Sequence, residues 1–174
     1  MAFGFCVASR LTLGSESGIK GELKWTLEGT PVAELLGQHR YQLDAKGRFA
    51  LPKRYLEALE GGAYVTLGQD GCLWVFPQED FERQSERIRG RPLSDPRTRA
   101  YARMFFGSAE RVAPDGQGRL TISPKLRAQL TSGREVVVMG VFDHLEVWDA
   151  AAWERYEEQN ATAYRSGALE LGEA

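Results

Sequence analysis

The sequence is poor in the residues that catalysis and disulfide chemistry use. Its 174 residues include two cysteines, Cys6 and Cys72, and two histidines, His39 and His144. Two cysteines are too few for a disulfide framework, and their flanks carry none of the ligand spacings of zinc sites. No Gly-x-Ser-x-Gly elbow and no Gly-x-x-x-x-Gly-Lys phosphate loop occurs, so the common hydrolase and nucleotidase signatures are missing. GQGRLT imitates a dinucleotide-binding fingerprint, but it precedes a strand and not a helix. The reading is therefore not an enzyme, with no cofactor and no metal.

Long apolar runs are absent too. Nothing approaches the roughly 20 residues of a membrane span, and FGFCVA near the start lacks a basic segment before it and runs into Arg10. A soluble, non-secreted, cytoplasmic protein is expected. Positive charge is also not in excess: 22 Lys and Arg against 24 Asp and Glu give a formal charge of −2. A uniformly basic nucleic-acid binder is excluded, so any contact with phosphate must come from cations gathered locally.

What the sequence does contain is repetition. LDAKGRFALPKRYLEALEGG, from Leu43 to Gly62, matches PDGQGRLTISPKLRAQLTSG, from Pro114 to Gly133, and superimposes Asp44 on Asp115, Gly47 on Gly118 and Arg48 on Arg119. YVTLGQDGCLWVFPQEDFER then matches VVVMGVFDHLEVWDAAAWER with one residue inserted between the stretches, pairing Gly68 with Gly140 and Phe81 with Trp153. Residues from about Leu36 to Asn160 are two tandem copies of one unit.

Pattern gives the unit its elements. HRYQLD and RFALP flank a turn and predict a β-hairpin. KRYLEAL and KLRAQL set Tyr55 or Leu126 four residues before Leu59 or Leu130 and end near glycine, predicting short helices. AYVTLGQ with CLWVFP, and EVVVMGVF with HLEVWD, predict strand pairs, each followed by a helix. The unit is ββαββα, repeated, in an α+β chain. Between copies, Asp95 and Pro96 form an N-cap and first-turn pair for a helix whose Tyr101, Met104 and Phe105 make an apolar face; Arg97, Arg99 and Arg103 read as its solvated face. Trp74, Phe76, Trp148 and Trp153 read as core or subunit interface. The organisation expected is an extension over 1–34, a first repeat over 35–89, a linker and helix over 90–106, a second repeat over 107–160 and a tail over 161–174.

The turn chemistry singles out candidate site residues. In Asp44-Ala45-Lys46-Gly47 the aspartate accepts from following backbone N–H groups and the glycine takes φ > 0, as a type I turn with a glycine bulge requires. Lys46 then sits at an exposed tip, and Arg48 opens the return strand, where its planar guanidinium can pair with phosphate or a guanine edge. Asp115, Gln117, Gly118 and Arg119 repeat the pattern, without the charge at the tip. A turn scaffold explains Asp and Gly in both copies but gives folding no need of an arginine after each glycine. Arg40, Lys53, Arg54, Arg111, Lys125 and Arg127 are, taken singly, solvated surface cations; the first five are candidate phosphate contacts.

The paired Asp-x-x-Gly-Arg turns, the GRFALPKRYLEAL and GRLTISPKLRAQL stretches and the closing VVVMGVFDHLEVWDAAAWERY resemble the MraZ family of bacterial transcriptional regulators, a branch of the AbrB and SpoVT-like swapped-hairpin fold. The resemblance covers about Leu35 to Asn160. It implies a pseudo-symmetric AbrB-like double-split β-barrel that assembles as a homo-oligomeric ring, with its loops on a surface facing double-stranded DNA. It also implies a nucleoid-associated repressor of its own promoter, binding short G-rich direct repeats upstream of the operon for cell division and cell-wall synthesis. Carried over by position, DNA contact falls on Lys46, Arg48 and Arg119, with Gln117 at the second tip, and Asp44, Gly47, Asp115 and Gly118 hold the loops. The rival reading is an oligomeric protein-binding scaffold of the same fold, antitoxin-like, without specific DNA binding.

Two features depart from the family pattern. Pro114 lacks an N–H, which predicts a less regular second loop. Met1 to Glu34 is additional, and is read either as a misassigned start, with Val32 as the initiating codon, or as a disordered arm.

Overall fold

A computed structural model of the chain describes residues 26–27, 30–31, 35–130 and 133–167. Contacts divide the chain into two units, Met1–Val32 and Ala33–Ala174. Of the first, a two-stranded antiparallel pair is described, β1 (Thr26–Leu27) and β2 (Thr30–Pro31). The two readings of the leader otherwise fall outside the described residues.

In the second unit the elements run β3 (Leu35–Gln42), β4 (Arg48–Ala50), α1 (Lys53–Ala58), β5 (Ala63–Leu67), β6 (Leu73–Pro77), α2 (Gln78–Arg89) and α3 (Pro96–Ser108). The second copy follows as β7 (Glu110–Val112), β8 (Arg119–Thr121), α4 (Pro124–Arg127), β9 (Glu135–Phe142), β10 (Leu145–Asp149) and α5 (Ala150–Arg165). The ββαββα pattern is present twice. α3 starts as its sequence requires, with the Asp95 carboxylate accepting from Arg97 N at 2.9 Å and proline in the first turn. Its apolar face is narrower than expected: Phe105 is buried against Tyr101, but Met104 is 60% exposed and points away.

The expected local hairpins do not form. β3 does not pair with β4; it pairs along its whole length with β9 of the other copy, from Leu35 opposite Phe142 to Gln42 opposite Glu135. Reciprocally, β7 pairs with β5. The six-stranded antiparallel sheet has the order β3-β9-β10-β6-β5-β7, and the first strand of each copy is thus donated to its neighbour. The sequence turn is genuine, but beyond it the two strands diverge into different sheets.

The released strands β4 and β8 pair with each other, Phe49 opposite Leu120. Those residues are equivalent in the repeat, so a pseudo-twofold axis passes between them. It meets the large sheet where Trp74 lies opposite Glu146, again an equivalent pair. Phe49 and Leu120 point inward and join Tyr55, Leu59, Leu126, Leu130 and the inner valines of the sheet in one buried cluster. Burial of each large side chain contributes roughly 1.5–3 kcal/mol, and most of that gain requires both copies. The other side of the sheet carries aromatic clusters: Phe76 and Phe105 with Trp74, Phe81 and Tyr101, and Trp148 with Trp153 and Tyr156. The four aromatics read as core or interface are accordingly buried or partly buried.

Gly140 lies where β3 crosses β9, opposite Gly37. A methyl added there would sit 2.3 Å from the Leu35 carbonyl carbon and oxygen and 2.5 Å from Leu36 N. Gly107, inside α3, has nothing within 4 Å of the same position. Gly140→Ala is therefore expected to push β3 off the sheet and lower the urea midpoint sharply. Gly107→Ala should raise stability by about 0.5–1 kcal/mol through helix propensity. Equal effects of the two substitutions in urea unfolding would refute the strand-exchange geometry.

Candidate nucleic-acid interface

Each repeat presents one loop, and the two loops are chemically the same up to their tips. In the first, Asp44 N donates to Arg48 O at 2.9 Å and Gly47 N to Asp44 O at 2.9 Å. The Asp44 carboxylate accepts from Lys46 N at 2.8 Å and Arg48 N at 3.0 Å through Oδ1, and through Oδ2 from Arg48 Nε at 2.7 Å and Nη2 at 2.6 Å. In the second, Asp115 accepts from Gln117 N at 2.9 Å, Arg119 N at 3.0 Å, Arg119 Nε at 2.9 Å and Arg119 Nη2 at 2.8 Å. Gly47 and Gly118 adopt φ of 79° and 71°, a region that costs other residues.

Two readings of the loops change. The arginine after each glycine has a folding role after all, since its guanidinium closes the turn onto the aspartate. Pro114 does not disturb the second loop, whose hydrogen bonds match those of the first. Its cost falls outside the loop: Leu43, its counterpart, donates N–H to Arg134 O at 2.7 Å, a bond proline cannot make. β7 has three residues where β3 has eight.

The two loops project from opposite ends of the β4–β8 ribbon. Arg48 lies opposite Thr121 and Arg119 opposite Ala50. Residues that face each other across an antiparallel pair share a face, as do alternate residues of one strand, so both arginines emerge on the solvent side while Phe49 and Leu120 enter the core. Two residues of offset place their backbones about 7 Å apart along the strands. Lys46 and Gln117 are exposed at the tips.

The remaining candidate cations have protein partners. Arg40 pairs with Glu154 at 2.8 Å, Lys53 with Glu57 at 3.7 Å, Arg54 with the His39 ring at 2.7 Å, Arg111 with Gln78 at 3.0 Å, and Lys125 Nζ with the Gly107 carbonyl at 3.2 Å. Strand exchange also reassigns their neighbourhoods. Ile122 N donates to Gly47 O at 2.9 Å and Leu51 N to Gly118 O at 3.0 Å. α4 thus stands beside the first loop and α1 beside the second, the reverse of what adjacency in sequence suggests. Arg127, read singly as a surface cation, lies over Gly47, where an added methyl would meet its Nη1 at 2.6 Å. Nothing in the linear sequence links position 127 to position 47 except the exchange itself.

Elsewhere, His144 is held between Asp143, at 2.6 Å, and Glu146, at 3.7 Å. Burial opposes its charge, but the two carboxylates outweigh burial and raise its pKa to about 9. Glu146 also accepts from the Trp74 and Trp148 indoles at 3.2 and 2.8 Å, so the group ties β10 to the sheet. Among the described residues no three His, Cys, Asp or Glu side chains are grouped to hold a metal, and no helix is long and apolar enough to cross a membrane.

The fold and site define an internally duplicated antiparallel α+β protein that displays two arginine-closed loops on one face of a central ribbon. Comparison with known proteins agrees with that class. The family model described as "MraZ protein, putative antitoxin-like" matches residues 35–104 and again 105–169. Proteins named Transcriptional regulator MraZ are similar over most of the chain: that of Saccharopolyspora erythraea is 40% identical over 136 residues, and that of Thermobifida fusca 43% over 136, each spanning 78% of this chain and 95% of the relative. That of Parafrankia sp. is 47% identical over 121 residues, 70% of this chain and 85% of the relative. The chain belongs to the MraZ family.

The Arg48 guanidinium beside Asp44, and Arg119 beside Asp115, hold both carboxyls at a pKa of about 2, below the usual 3.8. A depressed folded pKa contributes stability that is present above about 4 and lost as pH falls through about 2. Both loops should keep protected Arg48 and Arg119 amides, which donate to the carboxylates, down to pH 4 in hydrogen-exchange NMR. Asp44→Ala should abolish protection at Arg48 and leave Arg119 protected. Loss of protection in the wild type near pH 5 would contradict the clamp.

Proposed function

We propose that this protein is a sequence-specific, DNA-binding transcriptional regulator that represses its own promoter, upstream of the operon for cell division and cell-wall synthesis, by binding short G-rich direct repeats. The observation that carries the reading is the pair of loops with matching hydrogen bonds, with Arg48 and Arg119 on one solvent face. The names of the relatives support regulation of transcription. Arginine is the side chain that pairs bidentately with guanine O6 and N7 in a major groove. Exchanging Asp44 for a guanine edge or a phosphate keeps the guanidinium paired, so the clamp presents the arginine in a fixed direction without leaving its charge unsatisfied. Lys46 and the other cations position the backbone, and the site is nucleoid-associated in the cell.

Assembly into a homo-oligomeric ring is part of the proposal. Leu36, Val141 and Phe142, neighbours across the β3–β9 pair, are 51%, 42% and 43% exposed, and Met104 and Phe106 are exposed on α3. Two different apolar patches suit a head-to-tail contact that closes as a ring. Each subunit has too few cations for tight binding by itself, and a ring multiplies them.

The family description also mentions antitoxin-like proteins, which favours a second reading, a protein-binding oligomer whose loops meet an acidic partner. A gel-shift titration on DNA from upstream of the protein's own gene, at several salt concentrations and with light scattering, separates the two. Wild type should bind that DNA far better than a scrambled duplex. Arg48→Ala with Arg119→Ala should lose at least tenfold in affinity while keeping the oligomer. Wild-type assembly without DNA binding would favour the protein-binding reading.

A further inference from the structure

The two loops are alike, but their flanks are not. A cleft of about 430 Å³ opens beside the first loop, lined by Asp44, Ala45, Pro124, Arg127, Leu130 and Arg134. Both of its arginines come from the second repeat. Arg127 is half-buried over Gly47, and Arg134 leads into β9, its carbonyl accepting from Leu43 N. Neither makes a side-chain hydrogen bond or ion pair among the described residues. Asp44, the one acidic side chain of the lining, is already neutralised by Arg48. Arg127 and Arg134 line this cleft, exposed Lys46 follows Ala45 of its lining in sequence, and the lining holds no carboxylate besides Asp44.

Pseudo-symmetry gives the second loop an internal control. The counterpart of Arg127 is Leu56, whose Cδ1 would lie 2.6 Å from a methyl added at Gly118. Arg134 follows Gly133, the counterpart of Gly62, at the one-residue insertion, where the first repeat has no cation; the counterpart of Lys46 is Gln117, and that of Pro124 is Lys53, which is paired with Glu57. Arg119 is committed to Asp115. Of these positions only Lys53 brings a charge to the second flank, where it is paired with Glu57; the Arg111 guanidinium near Gly62 is hydrogen-bonded to Gln78.

We infer that Arg127 and Arg134, supplied by the second repeat, complete a phosphate-binding cleft at the first loop, so that each subunit grips the DNA backbone mainly at one of its two loops. The ligand chemistry is a phosphate group with at least two free oxygens for guanidinium pairing, here a backbone phosphate of duplex DNA. Phosphate contacts fix position and carry no sequence information, so this cleft sets affinity and register while the loop arginines supply preference at guanine. The inference rests on the DNA-binding reading for its biological ligand, though the cleft can be probed without DNA.

Two measurements on the full chain test it. In NMR, inorganic pyrophosphate should shift the Gly47, Arg127 and Arg134 amides and leave Gly118 and Leu56 unmoved; equal shifts at both loops, or none, would overturn the cleft. In DNA titrations, Arg127→Leu with Arg134→Gln should weaken binding about equally for specific and scrambled duplexes. The slope of log affinity against log salt should fall by about 1 for each phosphate that the variant no longer neutralises. Leu56→Arg with Gln117→Lys should strengthen binding and steepen that slope, a gain that misfolding cannot imitate. If the wild type binds DNA and these variants leave affinity and slope unchanged, the inference fails while the DNA-binding reading stands. If the wild type binds no DNA but pyrophosphate still selects the first loop, the DNA-binding reading fails and the cleft survives.

Discussion

Each half of the chain gives away its first strand, and the rest of the structure follows from that exchange. β3 of the first copy has its eight-residue ladder only on β9 of the second, and β7 of the second has its ladder only on β5 of the first. A lone copy would leave that backbone unpaired and half of the inner cluster exposed. The two repeats are therefore one folding unit despite their tandem order. The exchange also explains the glycine at the crossing: with Leu35 and Leu36 backbone atoms within about 2.5 Å of any added methyl, no side chain fits where β3 passes Gly140. It also creates the β4–β8 ribbon, since strands that leave their own hairpins can meet across the pseudo-twofold axis. The loops inherit their positions from that ribbon.

Much of this was legible in the sequence, and the part that was not has a single cause. Apolar pattern and the Gly, Pro and Asp between segments located the strands and helices; the repeat and the turn chemistry at Asp44 and Asp115 were equally plain. What local pattern cannot express is which strand pairs with which. Leu35–Gln42 and Arg48–Ala50 flank a sound turn, and a turn of that kind ordinarily implies a hairpin. The choice of β9 over β4 is made by burial: Phe49 and Leu120 each fill the core only when they face one another. The same blindness hid Arg127, which pattern placed next to the second loop and the fold places over the first. The role of Arg48 in closing its own loop was missed for a different reason. Its partner lies four residues away in a turn, where no helical or strand periodicity flags an ion pair.

The Asp–Arg clamp resolves an apparent conflict between two jobs for one side chain. An arginine committed to a structural ion pair has little net field to offer, and an exposed pair of this kind contributes little to stability. Its contribution is directional: Asp44 fixes both Nε and Nη2, which removes much of the rotamer entropy a free arginine would lose on meeting DNA. Long-range attraction must then come from cations that are not clamped. Near the loops, among the described residues, Lys46, Arg127 and Arg134 have no acidic partner, whereas Arg40 and Lys53 pair with Glu154 and Glu57; Arg54, Arg111 and Lys125 hydrogen-bond to a ring nitrogen, an amide and a carbonyl. Orientation at two loops and attraction at one is the division of labour we infer, open to the two repeats because they share the turn residues Asp, Gly and Arg while their flanks differ.

On the proposed DNA-binding reading, counterion release makes such a sparse arrangement depend on assembly. If one subunit neutralises about three phosphates, its affinity varies with salt with a slope of about −2.7, a roughly 40-fold change between 50 and 200 mM. Two linked subunits double that slope and bring the change to the order of 10³, without adding a positive residue to either chain. Weak single contacts and steep collective ones discriminate against DNA that offers only one site, because an isolated repeat engages one loop pair and gains no effective concentration from its neighbours. In that proposed mode a slightly acidic subunit would help: with a formal charge of −2, its surface away from the loops would repel the backbone and keep non-specific adhesion low. In the proposed assembly, affinity would be confined to geometry, the spacing of loops on the ring against the spacing of repeats on the DNA, and the strand exchange inside each subunit would make the loop spacing rigid.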